Sequence, residues 1–247
     1  MSTLEGTTAV VTGASSGIGE ATARALAGQG ARVALLARRR DRLEALAGEL
    51  GERAAVYEVD VTDDDAVATV IAGVARDLGG IDILVNNAGY GSMNPAAESD
   101  LAEWRRMVEV NVNGVLGTTH AALEHLAAAA KGPRGVADVV TISSVAGRKV
   151  AFPGANVYAA TKHAVGAFSE ALRQELGARH VRVGLVEPGL VRSELTEGNG
   201  AAQDAEQSQE LGLMEPEDIA DAVVHMVTRP RRAAVNEMLV RPTEQAR

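Results

Sequence analysis

Seven short apolar runs, spaced along the chain by Ala-rich stretches, constrain this sequence more than any other feature. They cover residues 8–12, 32–37, 55–59, 83–85, 136–142, 181–186 and 237–240. Most are rich in β-branched residues, and their apolar character is continuous rather than alternating. Strands read this way when helices cover both faces of a sheet. Helical candidates lie between them at 18–27, 42–50, 64–78, 101–129, 157–176 and 216–228. Two start with capping-box signatures, Asp41 with Glu44 and Thr62 with Asp65. Alternation of this kind predicts α/β architecture: one doubly wound parallel sheet of about seven strands with helices on both faces and right-handed crossovers. A length of 247 residues suits a single domain over 1–247, and no internal repeat or linker divides it. The stretch 193–215, rich in Glu, Gln, Gly and Ala, has poor periodicity. It follows a strand end, where open α/β sheets bind ligands, so a substrate lid is expected there.

Composition removes several function classes. Aromatic residues are 2% of the chain, too few for base-stacking platforms, and a net charge of −9 argues against a phosphate-backbone binder, so no nucleic-acid partner is expected. There is no cysteine, hence no thiolate metal site or thiol nucleophile. His120, His125, His163, His180 and His225 show no metal-ligand spacing, and Asp63-Asp64-Asp65 reads as a helix N-terminal acid cluster. No run approaches the ~18 apolar residues of a membrane span, and residues 1–6 lack a signal-peptide pattern. A cytoplasmic protein with no metal and no membrane partner is the expectation.

The first strand runs into Thr12-Gly13-Ala14-Ser15-Ser16-Gly17-Ile18-Gly19 and then a helix. Gly13 permits the tight turn, Gly17 the approach of a pyrophosphate, and Gly19 close helix–strand packing. Ser15, Ser16 and the Ile18 backbone N–H lie where the positive helix end meets phosphate. This is the start of a Rossmann-like βαβ unit. An NAD-selective site places a carboxylate near the end of the second strand, on the ribose 2′-hydroxyl. Here that region reads Leu36-Ala37-Arg38-Arg39-Arg40, with no acid. Arginines at a helix start oppose the helix dipole unless an anion sits there. NADP(H) is therefore the expected cofactor, with Arg38 as the first candidate for the 2′-phosphate, Arg39 beside it, and the choice among 38–40 open.

Tyr158 and Lys162 are four apart on a helical stretch and share a face. Only three of the 24 basic residues are lysine, so a lysine here stands out. An ammonium beside a phenol favours the phenolate, which predicts an acid/base usable near neutral pH.

The glycine turn, Asn86-Asn87-Ala88-Gly89, Asn111, Ser143-Ser144, Tyr158/Lys162 and Pro188-Gly189 stand in an order that resembles the short-chain dehydrogenase/reductase family, over almost the whole chain. The resemblance implies Tyr158 as general acid/base, and Lys162 as its pKa modulator and a ligand of the nicotinamide ribose. It implies Ser144 as the hydroxyl that polarises the substrate oxygen, and Asn111 as the residue holding a relay water near Lys162. Ser143 stays open as the alternative serine, because adjacent strand residues point to opposite faces. Asp60 and Val61 match the pair beside the adenine. Asn86, Asn87, Ala88 and Gly89 match the turn lining the adenosine ribose. Pro188, Gly189, Val191 and Ser193 match the segment against the nicotinamide. Within the family the chain resembles bacterial enzymes acting on 3-hydroxy acids, serine-like substrates and the clavulanic aldehyde/alcohol pair.

A small alcohol and its aldehyde or ketone are the implied substrates, with Tyr90, Met93, Phe152, Leu190, Leu195 and Met214 as pocket candidates and Trp104 as a packing residue. Relatives of this kind form homotetramers or homodimers. A non-catalytic NADP(H)-binding regulatory protein is the main alternative, but it would have no reason to keep Asn111, Ser144, Tyr158 and Lys162 together. Epimerases and dehydratases on the scaffold usually carry a larger C-terminal domain than this length accommodates.

Overall fold

The computed structural model describes residues 3–150, 153–194 and 212–245. The strands are β1 (Thr8–Thr12), β2 (Arg32–Ala37), β3 (Ala54–Glu58), β4 (Ile83–Asn86), β5 (Ala137–Ile142), β6 (Val181–Pro188) and β7 (Glu237–Val240). They form one seven-stranded sheet in the order β3-β2-β1-β4-β5-β6-β7. Every pairing is parallel. The helices are α1 (Gly17–Gly28), α2 (Arg40–Leu50), α3 (Asp64–Leu78), α4 (Leu101–Val108), α5 (Gly114–Ala129), α6 (Asn156–Leu176) and α7 (Pro216–Val227).

Neighbouring side chains on a strand enter different cores because a pleated strand alternates faces. Val11, Val33, Leu35 and Val85 pack with Leu26 of α1, Leu43 and Leu46 of α2, and Ile219 and Val223 of α7. Val10, Ala34, Leu36 and Leu84 pack with Val67 and Ile71 of α3, Leu126 of α5 and Leu172 of α6. Burying both faces is what the continuous apolar runs require. The strand order reverses between the paired strands β1 and β4, so the connections beyond their C-terminal ends lead to opposite sides and leave a crevice.

Three local expectations are corrected. The stretch 101–129 is not one α-helix: a π-helical segment, Glu109–Asn113, joins α4 to α5. Asp41 and Glu44 make no capping box, since α2 starts at Arg40 without a side-chain cap. At α3 the cap is Asp63, whose carboxylate accepts from the Ala66 N–H at 3.0 Å, while Thr62 donates to Asp60 instead. A capping box does form at α7, between Glu215 and Asp218. Of the expected lid 193–215, residues 195–211 lie outside the described residues, as do Phe152 and Leu195. A parallel bridge joins Met214, near its far end, to Val191, just before it. Among the described residues, no helix is long and apolar enough to cross a membrane and no cluster of His, Cys, Asp or Glu could hold a metal.

Candidate active site

A cavity of about 500 Å³ opens at the C-terminal ends of the strands. The glycine turn lines it with Gly13, Ser15, Ser16, Gly17 and Ile18. The ends of β2 and β3 add Arg38, Arg39, Asp60 and Val61. The turn after β4 adds Asn87, Ala88 and Gly89. Ser143 and Ser144 follow β5, Tyr158 and Lys162 come from α6, and Pro188, Gly189, Val191 and Ser193 close the wall after β6. Gly19 does not line the cavity, because its task is packing. A Cβ there would lie 2.3 Å from the Gly13 carbonyl oxygen. Gly13 itself has φ +67°, a left-handed conformation that disfavours side chains, and a Cβ would meet Ala88 Cα at 2.9 Å. The turn thus leaves a cradle against the N-terminus of α1 that only glycine keeps open. A dinucleotide pyrophosphate fits such a cradle.

The basic end is selective about which arginine it uses. Arg39 donates through Nε and Nη2 to Ser15 Oγ, at 3.1 and 2.9 Å, and through Nη2 to Ser16 Oγ at 2.7 Å. Arg38 lies 3.7 Å from Asp60 and is mostly exposed. Arg40 pairs with Glu44 along α2 and does not line the cavity. Sequence reasoning missed Glu194, whose carboxylate accepts from Arg39 Nη1 at 2.8 Å and also binds Arg42. The pairing crosses 155 residues of chain, which no local pattern signals.

At the other end, Tyr158 and Lys162 are both buried. The Lys162 ammonium donates to the Ile142 carbonyl at 2.9 Å and lies 5.7 Å from the Tyr158 ring centroid. Burial depresses its pKa to about 8. The phenol, expected to be lowered by this neighbour, is instead raised by burial, with a hydrogen bond from Ser144 pulling the other way. Desolvation disfavours the phenolate more than the available donor favours it. Ser144 is the serine that meets Tyr158; the Ser143 hydroxyl donates to the Lys162 carbonyl at 3.3 Å.

Asn111 is buried behind this group, on the π-helical segment. Its Oδ1 accepts from the Tyr90 N–H at 2.7 Å, and its Nδ2 donates to the Tyr90 carbonyl at 2.8 Å and to Thr161 Oγ1 at 3.1 Å. The side chain is committed to protein groups and braces the segment after β4 against α6. Asn86 lies outside the cavity: it is buried and donates to Thr119 Oγ1 at 2.8 Å. Among the pocket candidates Tyr90 lines the cavity and Leu190 does not, Met93 packs around Tyr158 and Met214 joins the core; Trp104, read as a packing residue, also packs around Tyr158. Arg106, also missed in the sequence, lines the cavity and stacks on Tyr90 at 4.0 Å from the ring centroid.

A glycine turn at a helix N-terminus that shares one crevice with Ser144 and the buried Tyr158 and Lys162 fits an oxidoreductase of the nicotinamide-dinucleotide class. A short chain dehydrogenase family profile matches residues 7–204. The chain is 40% identical over 251 residues to the glycine betaine reductase ATRR of Emericella nidulans, covering 98% of this chain but only 19% of that much longer protein. A solved structure of serine dehydrogenase complexed with NADP+ superposes with a TM-score of 0.87 at 33% identity, covering 97% of this chain and 96% of the other. A 3-ketoacyl-(acyl-carrier-protein) reductase from Brucella melitensis complexed with NADH also gives 0.87, at 29% identity and 98% and 99% coverage. The chain belongs to the short-chain dehydrogenase/reductase family.

Proposed function

We propose that this chain is an NADP(H)-dependent oxidoreductase that interconverts a small alcohol and its aldehyde or ketone, with Tyr158 as general acid/base. The observation that carries the reading is one cavity shared by Ser144, Tyr158 and Lys162 at one end and by the glycine turn with Arg38 and Arg39 at the other. When bound, the cofactor supplies or accepts the hydride at the substrate carbon. The chain's own residues handle the oxygen. In reduction Tyr158 gives its proton to the carbonyl oxygen, and its raised pKa keeps that proton in place until negative charge develops. Ser144 donates to the same oxygen and stabilises that charge. The Lys162 ammonium, buried beside the phenol ring, offsets the phenolate left behind. Asn111 holds Tyr90 and Thr161 and so fixes both walls around the reacting atoms.

An NADPH- and NADH-oxidation screen over small aldehydes, ketones and oxo acids, with the reverse alcohol screen, tests this. NADPH is expected to give at least about tenfold higher kcat/KM. Tyr158→Phe is expected to lower kcat by about 10²–10⁴ with NADPH affinity retained. A preference for NADH of that size overturns the cofactor assignment. Full turnover in the Tyr158→Phe variant overturns the role of the phenol.

A further inference from the structure

We propose that Glu194 is a specificity-determining residue, an internal competitor whose carboxylate occupies the Arg39 guanidinium that a cofactor 2′-phosphate would take. The inference rests on the NADP(H) reading above and adds a residue that opposes it. Four of the five Arg39 N–H groups are engaged: Nε and both of Nη2 hold Ser15 and Ser16, and one of Nη1 holds Glu194. Glu194 also lies 3.4 Å from Ser16 Oγ, so it sits across the start of α1, where an incoming anion gains most. A dianionic phosphate arriving there either displaces the carboxylate or stands beside it, and like charges a few Å apart repel.

Two features make displacement feasible rather than prohibitive. The Glu194 side chain is 52% exposed, so it can swing without disturbing the core. It also binds Arg42, which does not line the cavity, and keeps that partner when it leaves Arg39. The two guanidinium groups, Arg42 first and then Arg39, hold its pKa at about 2, so it is charged at any working pH. NAD(H) has a ribose hydroxyl in place of the phosphate, and a carboxylate can accept from a hydroxyl. Glu194 therefore narrows the preference for NADP(H): it weakens the phosphorylated dinucleotide and leaves the other unaffected or slightly favoured.

Fluorescence titration of NADPH and NADH onto wild type, Glu194→Gln, Arg38→Ala, Arg39→Ala and the Glu194→Gln/Arg39→Ala double variant tests the proposal through binding alone. Glu194→Gln is expected to tighten NADPH about fivefold, the size of an exposed ion pair removed from competition, with NADH unchanged or weaker. That gain is expected to vanish on the Arg39→Ala background. If Glu194→Gln leaves NADPH affinity unchanged or weakens it while Arg39→Ala still weakens NADPH, the competitor role is wrong and the NADP(H) reading stands. If Arg39→Ala and Arg38→Ala both leave NADPH affinity unchanged, the phosphate clasp itself is wrong and both readings fall.

Discussion

Lys162 is a buried ammonium whose fixed partner is a neutral carbonyl, and that arrangement opposes folding while serving the site. Its pKa falls from 10.5 to about 8 in the folded chain. Between those values the unfolded chain holds a proton that the folded chain has released, so stability rises with pH across that window. Below about 8 both states are charged and the full penalty of burial applies. Lys162→Met is therefore expected to unfold at higher temperature than wild type at pH 7, by about 1–2 kcal/mol after allowing for the donor lost by the Ile142 carbonyl. The gap should shrink as pH approaches 10. Calorimetry of both proteins from pH 6 to 10 checks it, and a gap that stays constant would show that desolvation of Lys162 is not its source. The sequence carried half of this. Four-residue spacing placed Tyr158 and Lys162 on one helix face, but spacing says nothing of depth, and depth is what raises the phenol and lowers the ammonium.

Elements announced themselves where one physical rule dominated. The β1 and β2 ranges match the apolar runs because burial on both faces leaves no other reading, and β7 matches too although it is a half-exposed edge strand. The π-helical segment stayed hidden because its residues keep a helix-compatible pattern. One wider turn changes which side chain faces inward without changing which residues are apolar. The α3 cap was misplaced by one residue because Thr62 and Asp63 are both capable caps, and only the backbone path chooses between them. The glycine turn is the element whose chemistry was most legible, and α1 allows a paired test. Gly19→Ala pushes a methyl group into the Gly13 carbonyl and the Asn87 amide, and is expected to cost about 1–3 kcal/mol and to weaken NADPH at least tenfold. Gly28→Ala, at the far end of the same helix, meets nothing within 4 Å and is expected to be neutral or slightly stabilising. Urea denaturation with NADPH titration reads both effects. Equal losses in the two variants would mean that general helix strain, not the cradle, is at work.

At the scale of the molecule the strand order reverses between the paired strands β1 and β4, and the site draws on both sides of that point. Ser15, Ser16, Arg39 and Asp60 come from the β1-β2-β3 side, and Ser144, Tyr158, Lys162 and Pro188 from the β4-β5-β6 side. Such long-range assembly is why the whole cavity was not readable residue by residue, and Glu194 on Arg39 is its clearest case. A ligand bound only by the folded chain stabilises it by mass action, by about 2.7 kcal/mol at 100 times Kd. NADPH is therefore expected to raise Tm by several degrees in one cooperative transition, as differential scanning calorimetry would read. An unchanged Tm at saturating NADPH would contradict the binding reading. On the proposed reading the phosphate grip and the proton donor lie on different sides of the crevice, so neither side alone completes the reaction. The crevice acts as a seam whose rivet is the ligand itself.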